Sequence, residues 1–398
     1  MQHIQPARRT SLVEYAIREI DTMAHELERK GRKIIRLNIG DPVPYGFQPS
    51  EELKNALVKA VKEGYNFYSP SEGLWQLREA IAERERKVNS VQIEAEDVIV
   101  TQGVSEAINL AVTALVEEGD EVLLPSPCYP VYVPYVKLCG GIPKFYRLTV
   151  YQGSWRLIDD VDKLVTERTK LLVIINPHNP TGAVLEENEL KKLAEAAFSV
   201  GASIISDEIY DALVFEKTFR STASIVKDAP VIGLNGFSKR WLATGWRLGY
   251  MYFSSGGELA EVKEAVVRLA RTRLCPSTPV QRAAELVLRQ GENFVEGLRE
   301  KLRERRDYFV KLMEHVDYLS LTQPAAAFYA YPELTVNGDW GNDYCFVKGL
   351  LLEEGVAVVH GGGFYDYRSD RFRVVFLPPP DMMAEAVERI TRFIKRHT

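Results

Sequence analysis

The chain of 398 residues is 46% apolar and 26% charged, an ordinary composition for a soluble globular protein, and it is longer than one hydrophobic core usually serves, so two domains are expected. Its net charge of -5 provides no basic field for nucleic acid. The longest apolar runs, such as Leu171 to Ile175, are far too short to span a bilayer, and Met1 to Arg9 lacks the apolar run of a signal peptide, so a cytoplasmic location is expected.

Leu12 to Lys30 repeats apolar residues at helical spacing and is stopped by Gly31. A short strand, Ile34 to Ile39, leads into the turn-rich Gly40-Asp41-Pro42-Val43-Pro44. Pro49-Ser50-Glu51-Glu52 opens a helix with acids in its first turn, where they suit the helix dipole. Tyr65 to Gly73 reads as an aromatic loop, followed by a helix from Leu74 to about Val88. From Val98 to about Ser254, short apolar runs alternate with helical patterns. The predicted strands are Val98–Thr101, Glu121–Leu124, Pro143–Leu148, Lys170–Ile175, Ala202–Ser206, Val231–Leu234 and Tyr250–Phe253. Helices are predicted at Ser105–Val116 and Leu190–Ala197. This alternation predicts a mostly parallel sheet covered on both faces. After Gly256 the pattern returns to long helices, including Asn293–Val316. Strands at Ala326–Tyr331, Val356–Val359 and Phe372–Leu377 and a helix at Met382–Lys395 complete a mixed tail. The expected division is an N-terminal segment, 1-45, joining a small C-terminal domain, 287-398, around a large domain, 46-286.

Ligands of open α/β sheets bind beyond the carboxyl ends of the strands, so the residues just past each strand are informative. Gln102-Gly103-Val104-Ser105 is a glycine turn opening a helix, which offers backbone N–H groups and a hydroxyl to an anion. Pro125 to Pro130 places Tyr129 near the same rim. Asn176-Pro177-His178-Asn179-Pro180-Thr181-Gly182 is a rigid turn with two carboxamides. Asp207-Glu208-Ile209-Tyr210 and Ser238-Lys239 come after the next two strands, and Arg247 lies eight positions after Lys239. A lysine at the mouth of a buried strand is desolvated, which makes its amine nucleophilic, and an arginine offers a fork to phosphate or carboxylate. Each element alone has a bland alternative: a solvated Lys-Arg pair, a helix cap, a simple turn. Cys128 has no histidine or acid beside it in sequence and reads as a small half-buried side chain, and His178 reads as serving its turn. Four scattered cysteines and six histidines without an HExxH pattern predict reduced thiols and no metal. Five complementary elements at successive strand ends point to pyridoxal phosphate, which needs an amine, an anion site, a carboxylate at its ring nitrogen, donors to its phenolic oxygen and a stacked ring.

The sequence resembles the class I pyridoxal-phosphate aminotransferases of the aspartate-aminotransferase fold over essentially its whole length. The motifs are Asn176 to Gly182, Ser206-Asp-Glu-Ile-Tyr210, Ser238-Lys239 through Gly245-Trp-Arg-Leu-Gly249, and Arg371-Phe-Arg-Val-Val-Phe-Leu377. The resemblance implies fold type I of the pyridoxal-phosphate-dependent transferases, with a large α/β domain and a smaller α+β domain from both termini. It implies that Lys239 bonds the cofactor aldehyde and acts in catalysis, and that Asp207 binds the pyridine nitrogen. Asn179 and Tyr210 would bind the phenolic oxygen and Tyr129 would stack on the ring, while Val104, Ser105, Ser238 and Arg247 surround the phosphate. Arg373 is expected to hold the substrate carboxylate, with Gly40 and Asn179 nearby. Strand alternation puts Arg371 on the same face, so only the motif match favours Arg373. Tyr68 resembles a tyrosine that reaches the phosphate of a neighbouring subunit, which implies a homodimer with shared sites. Gly236 departs from the pattern, because several relatives carry a serine for the phosphate there.

Tyr15-Ala-Ile-Arg18, Leu37 to Pro42 and Arg273 to Pro279 are similar to the alanine aminotransferases of archaea and bacteria. In that group, residues matching Tyr15 and Arg18 lie over the substrate pocket; the alternative is an amphipathic helix surface. The expected reaction takes alanine and 2-oxoglutarate to pyruvate and glutamate. Aspartate or aromatic aminotransferases and C–S β-lyases of the same fold would share the cofactor residues. Regulators that fuse this fold to a DNA-binding domain are disfavoured, since the chain starts almost directly at the aminotransferase region.

Overall fold

In the computed structural model of the protein, residues 4–254, 257–289 and 293–398 are described. Met1 to His3 of the N-terminal segment and Gly256, the expected border of the strand-helix region, lie outside them. The apolar runs of the middle of the chain form eight strands: β1 (Val98–Thr101), β2 (Glu121–Ser126), β3 (Ile142–Tyr151), β4 (Ser154–Leu157), β5 (Thr169–Ile175), β6 (Ser203–Asp207), β7 (Val231–Gly236) and β8 (Gly249–Ser254). They make one sheet in the order β1-β8-β7-β6-β5-β2-β3-β4. Neighbours from β7 through β3 are parallel, while β4 folds back on β3.

β8 runs antiparallel to both β1 and β7, with Gly249 opposite Gly236. Its start therefore lies at the edge where the parallel strands end. That reversal puts residues just before β8 beside residues just after β1, β5, β6 and β7.

Every residue of β1, β2 and β7 is buried, as continuous apolar runs in a two-sided sheet require. One face is covered by helices Trp75–Asn89, Glu187–Ser199 and Thr278–Leu288, through residues such as Leu77, Ile81, Leu193 and Ala283. The other is covered by helices Val104–Leu115, Tyr132–Leu138 and Ala260–Thr272, through Ile108, Val112, Val133 and Val266. A separate core joins Ile20, Ala24 and Leu37 to Leu302, Phe309, Leu350 and Ile390. It supports a three-stranded antiparallel sheet of β9 (Tyr329–Ala330), β10 (Val359–His360) and β11 (Phe372–Val375), ordered β9-β11-β10. The chain ends cross here: Ile35–Arg36 pairs in parallel with Val356–Ala357.

Some expected elements change at their ends. The first α-helix is Ala16–Arg29, preceded by a 3-10 turn at Arg8–Leu12. Leu12 and Val13, read as part of its apolar face, are exposed, because the helix begins only after Tyr15. The strand expected at Ile34–Ile39 is two residues long, since only Ile35 and Arg36 pair in a ladder, while Leu37 bonds outward to both Ala357 and Val375. Likewise Val356–Val359 splits into two pieces that pair with different strands.

Candidate active site

A cavity of about 880 Å³ opens over the edge where the parallel strands end, within the range that takes an organic ligand. The site residues expected from the sequence line it, Tyr68 excepted. β7 ends at Gly236, and one helical turn, Phe237–Arg240, carries Ser238 and Lys239 over the edge. The Lys239 amine donates to the Gly40 carbonyl at 2.7 Å and lies 5.4 Å from the centre of the Phe328 ring. Burial lowers its pKa to about 8; Asp41 opposes the shift, and Arg373 and Arg247 add to it.

Asp207 is the last residue of β6 and accepts hydrogen bonds from the Tyr132 hydroxyl at 3.0 Å and the Ile209 N–H at 3.4 Å. Burial raises its pKa to about 6, against those two bonds. No cationic side chain among the described residues pairs with it. Such a carboxylate is stabilised by a cation brought in from outside. Tyr210, one turn further on, is buried with its hydroxyl 2.7 Å from that of Tyr329. Asn179 is buried and accepts from Arg373 Nη1 at 3.1 Å.

The turn holding Asn179 is fixed from within. Asn176 accepts from the Leu185 N–H at 3.0 Å, and His178 Nδ1 meets the Thr181 hydroxyl at 2.8 Å. Burial drops the His178 pKa to about 3, so the ring is neutral and serves the turn. Cys128 is fully buried rather than half-buried, and burial pushes its thiol up, away from the nucleophilic form.

An anion corner lies at the end of β1. Gly103, at φ 75°, opens helix Val104–Leu115 and leaves the first N–H groups of Val104 and Ser105 without helical acceptors. A side-chain carbon at residue 103 would collide with the Arg247 guanidinium, so the glycine makes room for it. Arg247 itself adopts a left-handed conformation, φ 53°, and donates to the Thr244 carbonyl at 3.0 Å. No carboxylate among the described residues pairs with it. Gly236 has a steric reason: a Cβ there would sit 2.9 Å from Gly249 Cα and 3.0 Å from the Leu248 carbonyl oxygen. The close crossing of β7 and β8 leaves no space for a serine.

The choice between the two arginines of β11 and its approach is made by their partners. Arg371 is buried and satisfied by Glu333 at 3.2 Å and Asp366 at 3.4 Å. Arg373 is equally buried, lines the cavity, pairs with no carboxylate among the described residues, and leaves Nε without an acceptor. Its guanidinium lies between the Tyr329 and Phe364 rings, 4.6 and 4.7 Å from their centres. Across the opening, the Tyr15 hydroxyl is 3.1 Å from that of Tyr129. Arg18 has a largely exposed side chain and reaches Asp21 at 3.3 Å. Tyr68 is 79% exposed and does not line the cavity of its own chain.

Two contributors were not anticipated. Tyr132 opens the short helix Tyr132–Leu138 after the turn that carries Tyr129, and only folding brings its hydroxyl to Asp207. Tyr329 lay inside an apolar strand pattern and carried no signal. The assembled donor set fits a molecule with an aldehyde for Lys239, a basic ring nitrogen for Asp207 and a phosphate for the Arg247 corner.

Residues 32–390 match the family model described as aminotransferase class I and II. The alanine aminotransferase of Pyrococcus furiosus is 47% identical, with a TM-score of 0.95 over 99% of this chain and 100% of that one. The alanine aminotransferase of Mycobacterium tuberculosis is 35% identical over 378 residues, 93% of this chain and 88% of that protein. The aspartate aminotransferase of Thermus thermophilus, solved with maleate, is 30% identical, with a TM-score of 0.89 over 98% of this chain and 100% of that one. Family match, fold and site chemistry agree, and the chain belongs to the class I and II aminotransferases.

Proposed function

We propose that the chain is a pyridoxal-phosphate-dependent alanine:2-oxoglutarate aminotransferase. One observation carries the reading: a single cavity holds a half-buried amine, a buried carboxylate without a cation and two guanidiniums without a carboxylate among the described residues. When bound, the cofactor supplies an aldehyde that bonds amino groups and a ring that takes up electrons from the α-carbon. Asp207 holds the proton on the ring nitrogen, while Asn179 and Tyr210 donate to the ring oxygen. Tyr129 covers the ring face, and Val104, Ser105, Ser238 and Arg247 hold the phosphate. Arg373 grips the substrate carboxylate with its fork, with Gly40 beside it, which orients the α-hydrogen toward the Lys239 amine. Lys239 Nζ would take that proton as general base and hold it for return as general acid. With water entering the cavity to supply the keto oxygen, the same residues would serve the reverse transfer to a second keto acid, so the two substrates would be handled in turn, as in a ping-pong cycle.

Alanine as donor rests on the similarity to alanine aminotransferases and on the opening of the cavity. Arg18 is exposed and, among the described residues, its side chain pairs with Asp21 alone at the limit of a hydrogen bond, so it is free to turn toward the distal carboxylate of 2-oxoglutarate and away from a methyl group. The exposed Tyr68 supports a homodimer in which it reaches the phosphate of a second copy. The division into 1-45 with 287-398 and 46-286 is part of the same reading.

The test is a donor panel with purified enzyme, added cofactor and 2-oxoglutarate, reading keto acid and glutamate. Alanine should give the highest kcat/KM. A faster rate with aspartate or phenylalanine would make it an aspartate or aromatic aminotransferase. Ammonia and pyruvate from cystathionine would make it a C–S β-lyase.

A further inference from the structure

Three arms of the cavity, which the sequence supplies from distant segments, meet at one side chain. Tyr329 comes from β9, where it is paired with Val375 of β11. Its hydroxyl is 2.7 Å from the Tyr210 hydroxyl. Its ring centre lies 4.6 Å from the Arg373 guanidinium carbon, and the Phe364 ring centre lies 4.7 Å from the same carbon. Its edge fills the space where residue 40 would carry a side chain, so the Gly40 backbone passes against it and the Gly40 carbonyl accepts from Lys239 at 2.7 Å.

We propose that Tyr329 is a positioning residue that serves the two halves of the reaction separately, its hydroxyl through Tyr210 and its ring through Arg373. The inference rests on the proposed aminotransferase function and deepens it. Proton count assigns the hydroxyl its part. A phenol has one proton, and Tyr210 is asked to donate it to the cofactor's ring oxygen. That proton is free for the cofactor only if the Tyr210–Tyr329 bond is donated by Tyr329. A donor behind a donor also polarises the chain and strengthens the outer bond. Conformational freedom assigns the ring its part. A guanidinium between two aromatic faces is attracted to both and loses no further conformational freedom when a carboxylate arrives.

The experiment uses holoenzyme of the wild type and of two variants, with two readouts besides turnover. The first is the pH midpoint of the bound cofactor's visible absorbance change. The second is the Kd of 2-methylalanine, which has alanine's amine and carboxylate but no α-hydrogen, read by absorbance titration. Tyr329→Phe removes the hydroxyl and keeps the ring. It should move the midpoint up by about half a unit, because the Tyr210 bond to the ring oxygen loses the donor behind it and weakens, and leave the Kd within about twofold. Tyr329→Leu removes both and should also weaken 2-methylalanine about tenfold. If Tyr329→Phe changes neither readout, or changes both to the same degree, the division of roles is wrong. If Tyr329→Leu does not fold, Tyr329→Phe alone still decides the hydroxyl half. Tyr329→His, which keeps an aromatic face, then decides the ring half by retaining the Kd or losing it. Failure of the underlying function looks different: the wild type would show no pH-dependent cofactor band, or Arg373→Gln would bind 2-methylalanine as well as wild type.

Discussion

Raising the pH should switch on the capture of pyridoxal phosphate by the cofactor-free enzyme, because only the neutral Lys239 amine attacks an aldehyde. With its pKa lowered to about 8, roughly a tenth of this amine is neutral at pH 7, about 300-fold more than for a lysine at its ordinary value. The direction of the shift sets the sign. Below pH 8 the rate should rise about tenfold per unit, and above it the rate should level off. Asp41 is the group that opposes the shift, so Asp41→Asn should move the plateau to lower pH. The amide keeps the oxygen that accepts from Thr244 at 3.0 Å and the Val43 N–H at 3.1 Å, so the change is mainly one of charge. Stopped-flow absorbance of cofactor binding between pH 6.5 and about 10 measures both, the upper limit set near the ordinary lysine range. A rate still climbing tenfold per unit beyond the plateau would refute a desolvated lysine. A midpoint unmoved by Asp41→Asn would refute the electrostatic account of its surroundings.

Asp207→Asn should still bind the cofactor but lose turnover by on the order of 100-fold or more, checked by absorbance and single-turnover kinetics, because the ring nitrogen loses its charged partner. The two arginines should separate cleanly. Arg373→Lys raises KM for amino and keto acids by about tenfold or more with little change in melting temperature, since a point charge replaces a fork. Arg371→Met leaves the buried Asp366 without its cation and costs about 3 kcal/mol of stability, read by denaturant unfolding. Gly236→Ser should lower the melting temperature, at a cost of about 1–3 kcal/mol, without tightening cofactor binding, because its Cβ meets the backbone of β8. Tighter binding at unchanged stability would show that the strands open readily for a serine.

The sequence was most legible where local physics decides. Strands buried on both faces must be continuously apolar, so β1, β5 and β7 announce themselves, and the polar residues just past them are forced to the edge. The direction of β8 was not legible, because a short buried strand reads the same way in either direction; yet that reversal brings Arg247 to Gly103. The choice between Arg371 and Arg373 was also hidden. Alternation gives both the same face, and only the carboxylates of Glu333 and Asp366, brought in by folding, neutralise one of them. Tyr329 was invisible for a related reason: its partners Gly40, Tyr210 and Arg373 lie in three other segments.

The crossing of the chain ends has a consequence in time. Asn38, whose carbonyl accepts from Arg373, and Arg373 itself are 335 positions apart. A ribosome therefore delivers Ser105, Asp207, Lys239 and Arg247 well before the fork that orients an acid. A nascent chain stopped short of β11 has the ring-and-phosphate half of the cavity in its sequence, but neither Arg373 nor the strand edge where the Val375 N–H bonds the Leu37 carbonyl. Substrate recognition is thus among the last things translation supplies, and an interrupted product lacks the means to select what it would transform.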